Sequence, residues 1–380
     1  MKTINVLAIF ALIVTLGVPC SLSAVHFDQV STRVYDIRTG DPDNDGIMEL
    51  VEAHSSSNQV VLYVPRDSEP GYRLKNAISF PENVNSVAVF DVDQDGRDEL
   101  IVGTSNADDG GYLYVGEISD RAFIEEWKSP LLSSIREGSE IAVGDADNDG
   151  FLEIAVGVTW YGRYLVIYEF NGSGFTEIHR FTIGSDVASV AYGDVDNDGV
   201  DELVVGTECW SDYGLRIYDN YTLVFSDTGN GRTEVALGDV DGDGQLEIIT
   251  GVGTRCGTGA TTPEPYFAVY KWTGTTYNLL WQSPPLVTGG RDAYVEVDAG
   301  QLLRGGAKEI IIGTWGKDMD SVLSLWWWTG NGFQQIGEKS FLAGQGCKIQ
   351  SVYMLDCDQD GMNEIAVGTD CGGSTIIRFD

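Results

Sequence analysis

Positive charge is scarce in this chain. Twenty-three Lys and Arg residues stand against 58 Asp and Glu, a formal net charge of −35 over 380 residues. Such a surface repels polyanions, which argues against nucleic acid or an anionic membrane as partner and leaves cations as the natural counter-charge. Histidine is rarer still, with only His26, His54 and His179. There is no GxSxG nucleophile elbow, no HExxH zinc motif and no phosphate-cradling glycine loop. After the N-terminal segment no apolar run approaches the roughly 20 residues of a membrane span. No stretch sustains a helical period. Glycine, by contrast, is abundant at 47 residues, and 43% of the chain is hydrophobic, enough for a sizeable core joined by many tight turns.

The first 24 residues read MKTINVLAIFALIVTLGVPCSLSA. Lys2 precedes a short apolar run, and small residues follow it, which predicts a signal peptide over 1–24 cut between Cys20 and Val25. Gly17-Val18-Pro19 before Cys20 is a poor lipobox. The expected mature protein, 25–380, is secreted, extracellular or periplasmic. That setting permits disulfides among Cys209, Cys256, Cys347, Cys357 and Cys371, with one thiol left over.

One pattern, D-x-D-x-D-G-x-x-E, recurs six times: at 41–49, 91–99, 145–153, 194–202, 239–247 and 356–364. A broken seventh copy, DAGQLLRGGAKE at 298–309, keeps Asp298 and Glu309 and reads as carrying three extra residues. Repeats of this length indicate propeller blades or helical arrays. The flanks decide. A short apolar or alternating run precedes each loop, and ELIVGT-like segments follow it. A third strand and usually a fourth come next, which predicts four antiparallel strands per repeat. The expected fold is all-β, a seven-bladed propeller. The last repeat has three strands, so the spare segment 25–31 is expected to complete the last blade as its outer strand and close the ring.

Crowded carboxylates at alternating positions answer to a hard cation. Calcium takes six to eight oxygens. Positions 1, 3 and 5 aim carboxylates inward, position 7 offers a backbone carbonyl, position 9 adds a glutamate, and Gly at position 6 takes the sharp bend. The predicted ligands are Asp41, Asp43, Asp45, the Ile47 carbonyl and Glu49, then Asp91, Asp93, Asp95, the Arg97 carbonyl and Glu99. The third and fourth sets are Asp145, Asp147, Asp149, Phe151 and Glu153, and Asp194, Asp196, Asp198, Val200 and Glu202. The fifth is Asp239, Asp241, Asp243, Gln245 and Glu247, and the last is Asp356, Asp358, Asp360, Met362 and Glu364. Up to six calcium ions are expected. The broken copy is expected to bind none, with Arg304 or Lys308 as an internal cation or with the loop simply released from metal duty. An EF-hand is disfavoured because helices and a Glu at position 12 are missing.

These copies, each followed by an apolar strand ending in Gly, resemble FG-GAP/VCBS repeats, the blades of integrin-α-type propellers. The resemblance spans nearly all of residues 25–380. It implies a seven-bladed propeller with calcium between the first two strands of a blade. Glu rather than Asp at position 9 departs mildly from that pattern. In such a fold Cys209 and Cys256 fall on neighbouring blades, and Cys347 and Cys371 at one end of the last. Those two disulfides are expected, with Cys357 free.

The face opposite the acidic loops is expected to carry Trp160, Tyr161, Trp210, Tyr213 and Trp315, which either stack on a ligand or cap the blades. Arg136, Arg232, Arg291 and Lys348 either rim the channel or pair with Glu140, Glu234 and Asp292, and pairing is favoured. The functional reading is a secreted calcium-binding module for a protein or glycan ligand. The alternative is a polysaccharide-active enzyme, a lyase or hydrolase, on a calcium-stabilised propeller.

Overall fold

The computed structural model describes residues 22–24, 26–27, 32–66, 71–106, 110–132, 141–159, 162–208, 213–228, 231–254, 264–287, 291–303, 307–317, 320–341, 347–356, 363–371 and 373–379. Seven antiparallel sheets follow one another around a ring. Blade 1 comprises Val34–Gly40, Glu49–His54, Gln59–Pro65 and Gly71–Ser79. Blade 2 comprises Asn83–Phe90, Glu99–Ser105, Leu113–Ser119 and Ala122–Lys128. Blade 3 runs through Ile141–Gly144, Glu153–Val158, Tyr164–Phe170 and Phe175–Thr182. Blade 4 follows with Asp186–Gly193, Glu202–Glu208, Gly214–Asp219 and Thr222–Thr228. Blade 5 has Thr233–Gly238, Glu247–Val252, Tyr266–Trp272 and Tyr277–Gln282. Blade 6 has Arg291–Gly300, Glu309–Lys317, Ser321–Trp328 and Phe333–Phe341, and blade 7 has Ile349–Leu355, Glu364–Thr369 and Gly373–Phe379. Among the described residues there is no α-helix, only a 3-10 turn at Ser55–Ser57.

The burial of each strand explains its composition. Second strands such as Glu153–Val158 and Glu247–Val252 are buried at every position, because a neighbouring blade covers each face. They therefore read as continuous apolar runs rather than alternating ones. Fourth strands face solvent, and Phe175–Thr182 is correspondingly polar. The Gly that ends the second-strand motif serves close approach. A Cβ on Gly206 would lie 2.1 Å from the Thr233 carbonyl oxygen of the next blade, and one on Gly251 2.5 Å from that of Val295.

Seven hydrophobic clusters form, one at each seam between adjacent blades. The cluster that joins the last blade to the first contains Val34, Ile37, Leu50, Val61, Tyr63, Leu355, Ala366 and Ile376. At the same seam the Ser374 hydroxyl donates to Glu52, which also holds His54 at 2.7 Å. Sheet packing thus joins the two ends of the ring.

The N-terminal segment departs from expectation. The segment 25–31 was expected on blade 7, but His26–Phe27 pairs in parallel with Gly71 and Tyr72 at the edge of blade 1, and Val25 and 28–31 lie outside the described residues. Leu22–Ala24 instead pairs with Ile377–Phe379 of blade 7. The rest of the expected signal peptide, 1–21, also lies outside the described residues.

Candidate metal centres and the opposite face

Each acidic loop joins the first strand of its blade to the second. Its backbone is specialised at two positions. The described position-6 glycines, Gly46, Gly96, Gly150, Gly199 and Gly244, all have φ between 84° and 95°, a conformation an L side chain resists. Position 4 is also left-handed, at Asn44, Gln94, Asn148, Asn197 and Gly242. Asn and Gly tolerate that region best, so the Asn preference at position 4 was a readable signal that the motif analysis passed over.

Hydrogen bonds then aim the carboxylates. The position-1 Asp accepts from the position-6 amide, as in Gly150 N to Asp145 Oδ2 at 3.1 Å. The position-5 Asp accepts from the position-7 amide, as in Phe151 N to Asp149 Oδ1 at 2.9 Å. The position-9 Glu accepts from the position-2 amide through Oε2: Val92 to Glu99 at 2.9 Å, Ala146 to Glu153 at 2.9 Å, Val195 to Glu202 at 2.8 Å and Val240 to Glu247 at 2.9 Å. In blade 3 the oxygens of Asp145, Asp147, Asp149 and Glu153 lie within 4.8 Å of one another. Similar groups form from Asp41, Asp43 and Asp45, from Asp91, Asp93 and Glu99, and from Asp194, Asp196 and Glu202.

The remaining oxygens test whether a cation fits. Glu99 Oε1, Glu153 Oε1 and Glu202 Oε1 are buried with no hydrogen-bond partner, as are Asp91 Oδ1 and Asp145 Oδ1. An unpaired carboxylate oxygen away from water is costly. Burial accordingly pushes the carboxyl of Glu99 up to about 8, of Glu153 to about 7 and of Glu202 to about 8. A hard divalent ion placed among them would satisfy these oxygens and favour their charged form.

Two loops differ. In blade 1 the Lys75 Nζ contacts Asp43 at 2.8 Å, Asp45 at 2.7 Å and Glu49 Oε1 at 2.8 Å. In blade 5 the Lys271 Nζ contacts Asp241 at 2.6 Å, Asp243 at 2.7 Å and Glu247 Oε1 at 2.8 Å. Burial alone would lower both lysines, but the three carboxylates around each outweigh it and raise them. In blade 1, position 2 is Pro42, which has no amide hydrogen to give, and Glu49 Oε2 is left without a partner.

Blade 6 corrects the reading of the broken copy. Gly300 pairs with Glu309 as Gly40 pairs with Glu49, so the loop has the ordinary length and no insertion. Gln301 stands at position 1 and Leu303 at position 3, without carboxylates. Asp298 belongs to the first strand, where it accepts from the Met354 amide at 2.6 Å. Glu309 still accepts from the Leu302 amide at 2.9 Å, so the hairpin keeps its shape. Among the described residues no side-chain ion pair involves Lys308, and Arg304 lies outside them. In blade 7, Asp356 and Glu364 flank the loop, while Cys357, Asp358, Asp360 and Met362 lie outside the described residues.

Neighbouring loops are tied together at every seam from blade 1 to blade 7. Asp41 N donates to Asp98 Oδ2 at 3.2 Å, and Gln94 Nε2 to the Gly150 carbonyl at 2.6 Å. Asp145 N donates to Asp201 Oδ2 at 3.4 Å, and Gln245 Nε2 to the Val195 carbonyl at 3.1 Å. Lys308 N reaches the Asp239 carbonyl, and Asn363 N the Gln301 carbonyl, both at 2.9 Å. Four of these six links join position 1 of one loop to position 8 of the next.

On the opposite face, Trp315 is buried. It stacks on Tyr294 with centroids 4.0 Å apart and planes 3° apart, and Lys348 Nζ lies 4.5 Å from its centroid. It therefore packs rather than presenting a free ring. Tyr213 is half-buried, and Trp160, Tyr161 and Trp210 lie outside the described residues. Arg232 pairs with Glu208, Glu234 and Glu296, as the pairing alternative expected. Burial pushes the Glu234 carboxyl well above its usual range against the pull of Arg232. Arg136 and Glu140 lie outside the described residues, and so does the side chain of Arg291. Cys347 and Cys371 form a disulfide with Cα atoms 5.4 Å apart, while Cys209 and Cys256 are not described. Sequence reading missed a polar cavity of about 250 Å³ between blades 1 and 2, lined by Arg33, Tyr35, Ser55, Ser56, Asn83, Asn85 and Ser105.

This geometry defines a class: a seven-bladed propeller with acidic hairpin loops on one face. Comparison with known proteins agrees. A model of the FG-GAP-like repeat matches residues 91–156 and 145–205, and the chain carries FG-GAP-like repeats. No curated protein matches the sequence. Crystal structures of BBS1N in complex with ARL6DN, soaked with mercury or with lead, superpose with TM-scores of 0.60 and 0.58 at 11% identity, covering 92% of this chain and 93% of that one. A chain of the Mitotic Checkpoint Complex superposes with a TM-score of 0.59 at 12% identity, covering 94% of this chain and 92% of its own. At such identities the likeness is one of fold.

Proposed function

We propose that the protein is a calcium-stabilised binding module for a protein partner, exported to an oxidising compartment. The observation that carries the calcium reading is the trio of buried, partnerless Glu oxygens at equivalent places in blades 2, 3 and 4. Asp91, Asp93, Asp95 and Glu99, with their counterparts in blades 3 and 4, would hold the ion. The ion supplies positive charge that locks each hairpin. A protein partner is supported by the FG-GAP-like repeats and by the fold neighbours, which are BBS1N in complex with ARL6DN and a member of the Mitotic Checkpoint Complex. The Cys347–Cys371 bridge and the apolar N-terminal run favour export. A glycan is the second reading, favoured by the hydroxyl- and amide-lined cavity between blades 1 and 2.

The test is affinity capture from the native surroundings, with and without calcium, beside a glycan array. Capture of one protein in calcium, lost on chelation and kept in an Arg33→Glu variant, supports the first reading. Glycan binding lost in the same variant supports the second. Equilibrium dialysis that finds no bound calcium at millimolar supply removes the metal reading.

A further inference from the structure

We infer that Lys75 and Lys271 are built-in cations that keep metal out of blades 1 and 5, so that the described motif loops are of two kinds and only those of blades 2, 3 and 4 take calcium. The inference rests on the calcium reading proposed above and narrows it.

The same oxygen marks both kinds of loop. In blades 2, 3 and 4 the Oε1 atom of Glu99, Glu153 and Glu202 is buried and partnerless. In blades 1 and 5 the equivalent Oε1, on Glu49 and Glu247, accepts a lysine ammonium at 2.8 Å. Both ammonium groups also touch the carboxylates of positions 3 and 5 and no other loop carboxylate. Three contacts match the three protons an ammonium can donate. Lys75 reaches this point from the fourth strand of blade 1 and Lys271 from the third strand of blade 5. Two different routes thus converge on one place in the loop.

Register adds an independent sign. The third-strand residue just after the partner of position 10 lies beside the loop. It is Glu117 in blade 2, following Gly116 opposite Leu100. It is Glu169 in blade 3, following Tyr168 opposite Ile154, and Asp219 in blade 4, following Tyr218 opposite Leu203. In blade 5 it is Lys271, following Tyr270 opposite Ile248. An extra acid therefore accompanies each loop whose Glu Oε1 lacks a partner, and a base accompanies the blade 5 loop, whose Oε1 has one; in blade 1 this register holds Val64, and the base comes from the fourth strand instead. Glu117 is buried, its carboxylate lies within 4.8 Å of those of Asp95 and Glu99, and it is also paired with Arg97 at 2.7 Å.

A tethered ammonium acts at the effective concentration of an intramolecular group, on the order of millimolar. Extracellular calcium sites with dissociation constants of about 10⁻⁴–10⁻³ M would compete poorly against it. Blade 7 is not included, because residues 357–362 lie outside the described residues.

The test counts bound calcium on the intact protein by native mass spectrometry at saturating calcium, with folding checked by circular dichroism. Asp241→Asn with Asp243→Asn in blade 5 should leave the wild-type count unchanged, as should Asp43→Asn with Asp45→Asn in blade 1. Asp147→Asn with Asp149→Asn in blade 3 should lower it by one. Lys271→Glu, which gives blade 5 the extra acid of its neighbours, should raise it by one. Loss of an ion from the blade 5 or blade 1 asparagine pair overturns the inference while the calcium reading stands. So does an unchanged count in a folded Lys271→Glu protein. A wild-type protein with no bound ion fells the calcium reading first, and the inference with it.

Discussion

Blades 3 and 5 carry nearly the same nine residues in the same hairpin, yet they neutralise them differently. In blade 3 the carboxylates of Asp145, Asp147, Asp149 and Glu153 face one another within 4.8 Å, Glu153 Oε1 has no partner, and Glu169 adds further negative charge. In blade 5 the ammonium of Lys271 bridges Asp241, Asp243 and Glu247. One loop depends on solution conditions and the other carries its own counter-ion. A motif therefore specifies the backbone of a loop, while a residue outside it decides what the loop needs.

The largest effect that sharpens this contrast is chelation. Occupancy at ten times the dissociation constant stabilises by about 1.4 kcal/mol per site. EDTA should therefore lower the melting temperature by roughly 5–10 °C when the three sites empty together. An unchanged melt would break the comparison. Next, Lys271→Met should destabilise by about 2–3 kcal/mol, through loss of a charged partner to a buried carboxylate. The loss should be full in EDTA and smaller in calcium, where the vacated loop can take the ion, whereas Asp147→Asn should destabilise in calcium and little in EDTA. Paired thermal melts of both variants check the difference.

A smaller, graded effect is that of pH. The carboxyls of Glu99 and Glu202 sit near 8 and that of Glu153 near 7 in the folded chain without metal, above the ordinary value of 4.5. The folded state then binds protons more tightly than the unfolded one. Its extra stability is fully present below about pH 4.5 and is lost as pH rises through 7 to 8. In EDTA the melting temperature should fall between pH 5 and 9, and in calcium the fall should shrink to the share of Glu49 and Glu247, at about 8 and about 7 in the lysine-filled loops, because the ion favours the charged form. Melts showing the same slope with and without calcium would count against the assignment. The smallest effect is expected for Gly150→Ala. Nothing lies within 4 Å of the added methyl, so only the φ of 90° resists it, at about 1–2 kcal/mol.

Much of this was legible in the sequence because the repeat reports on itself. Six copies of one loop, β-branched runs on both sides and a Gly closing each second strand were enough for the blade count and the position of every intact loop. What was not legible depends on contacts between segments far apart in the chain. Lys75 lies 26 residues after Glu49, in the bulged part of a fourth strand, where no period points to it. Lys271 becomes visible only once the third strands are set in register. Whether Trp315 stacks on a ligand or caps its blade stays open in the sequence until Tyr294, 21 positions earlier, is found flat against it. The broken copy was misaligned because Asp298 resembles a first ligand, when strand pairing makes Gln301 its true equivalent.

The links between adjacent hairpins have a mechanical consequence. Position 1 carries a carboxylate turned into its own loop, and its backbone is also the handle that the neighbouring hairpin grips: Asp41 on Asp98, Asp145 on Asp201, Asp239 on Lys308. An ion that pulls on that carboxylate also moves the handle. The acidic rim is thus a belt of coupled buckles, and where two ion-taking hairpins share one, as blades 3 and 4 do through Asp145 and Asp201, filling one should tighten the next and a calcium titration should rise more steeply than a sum of independent sites allows.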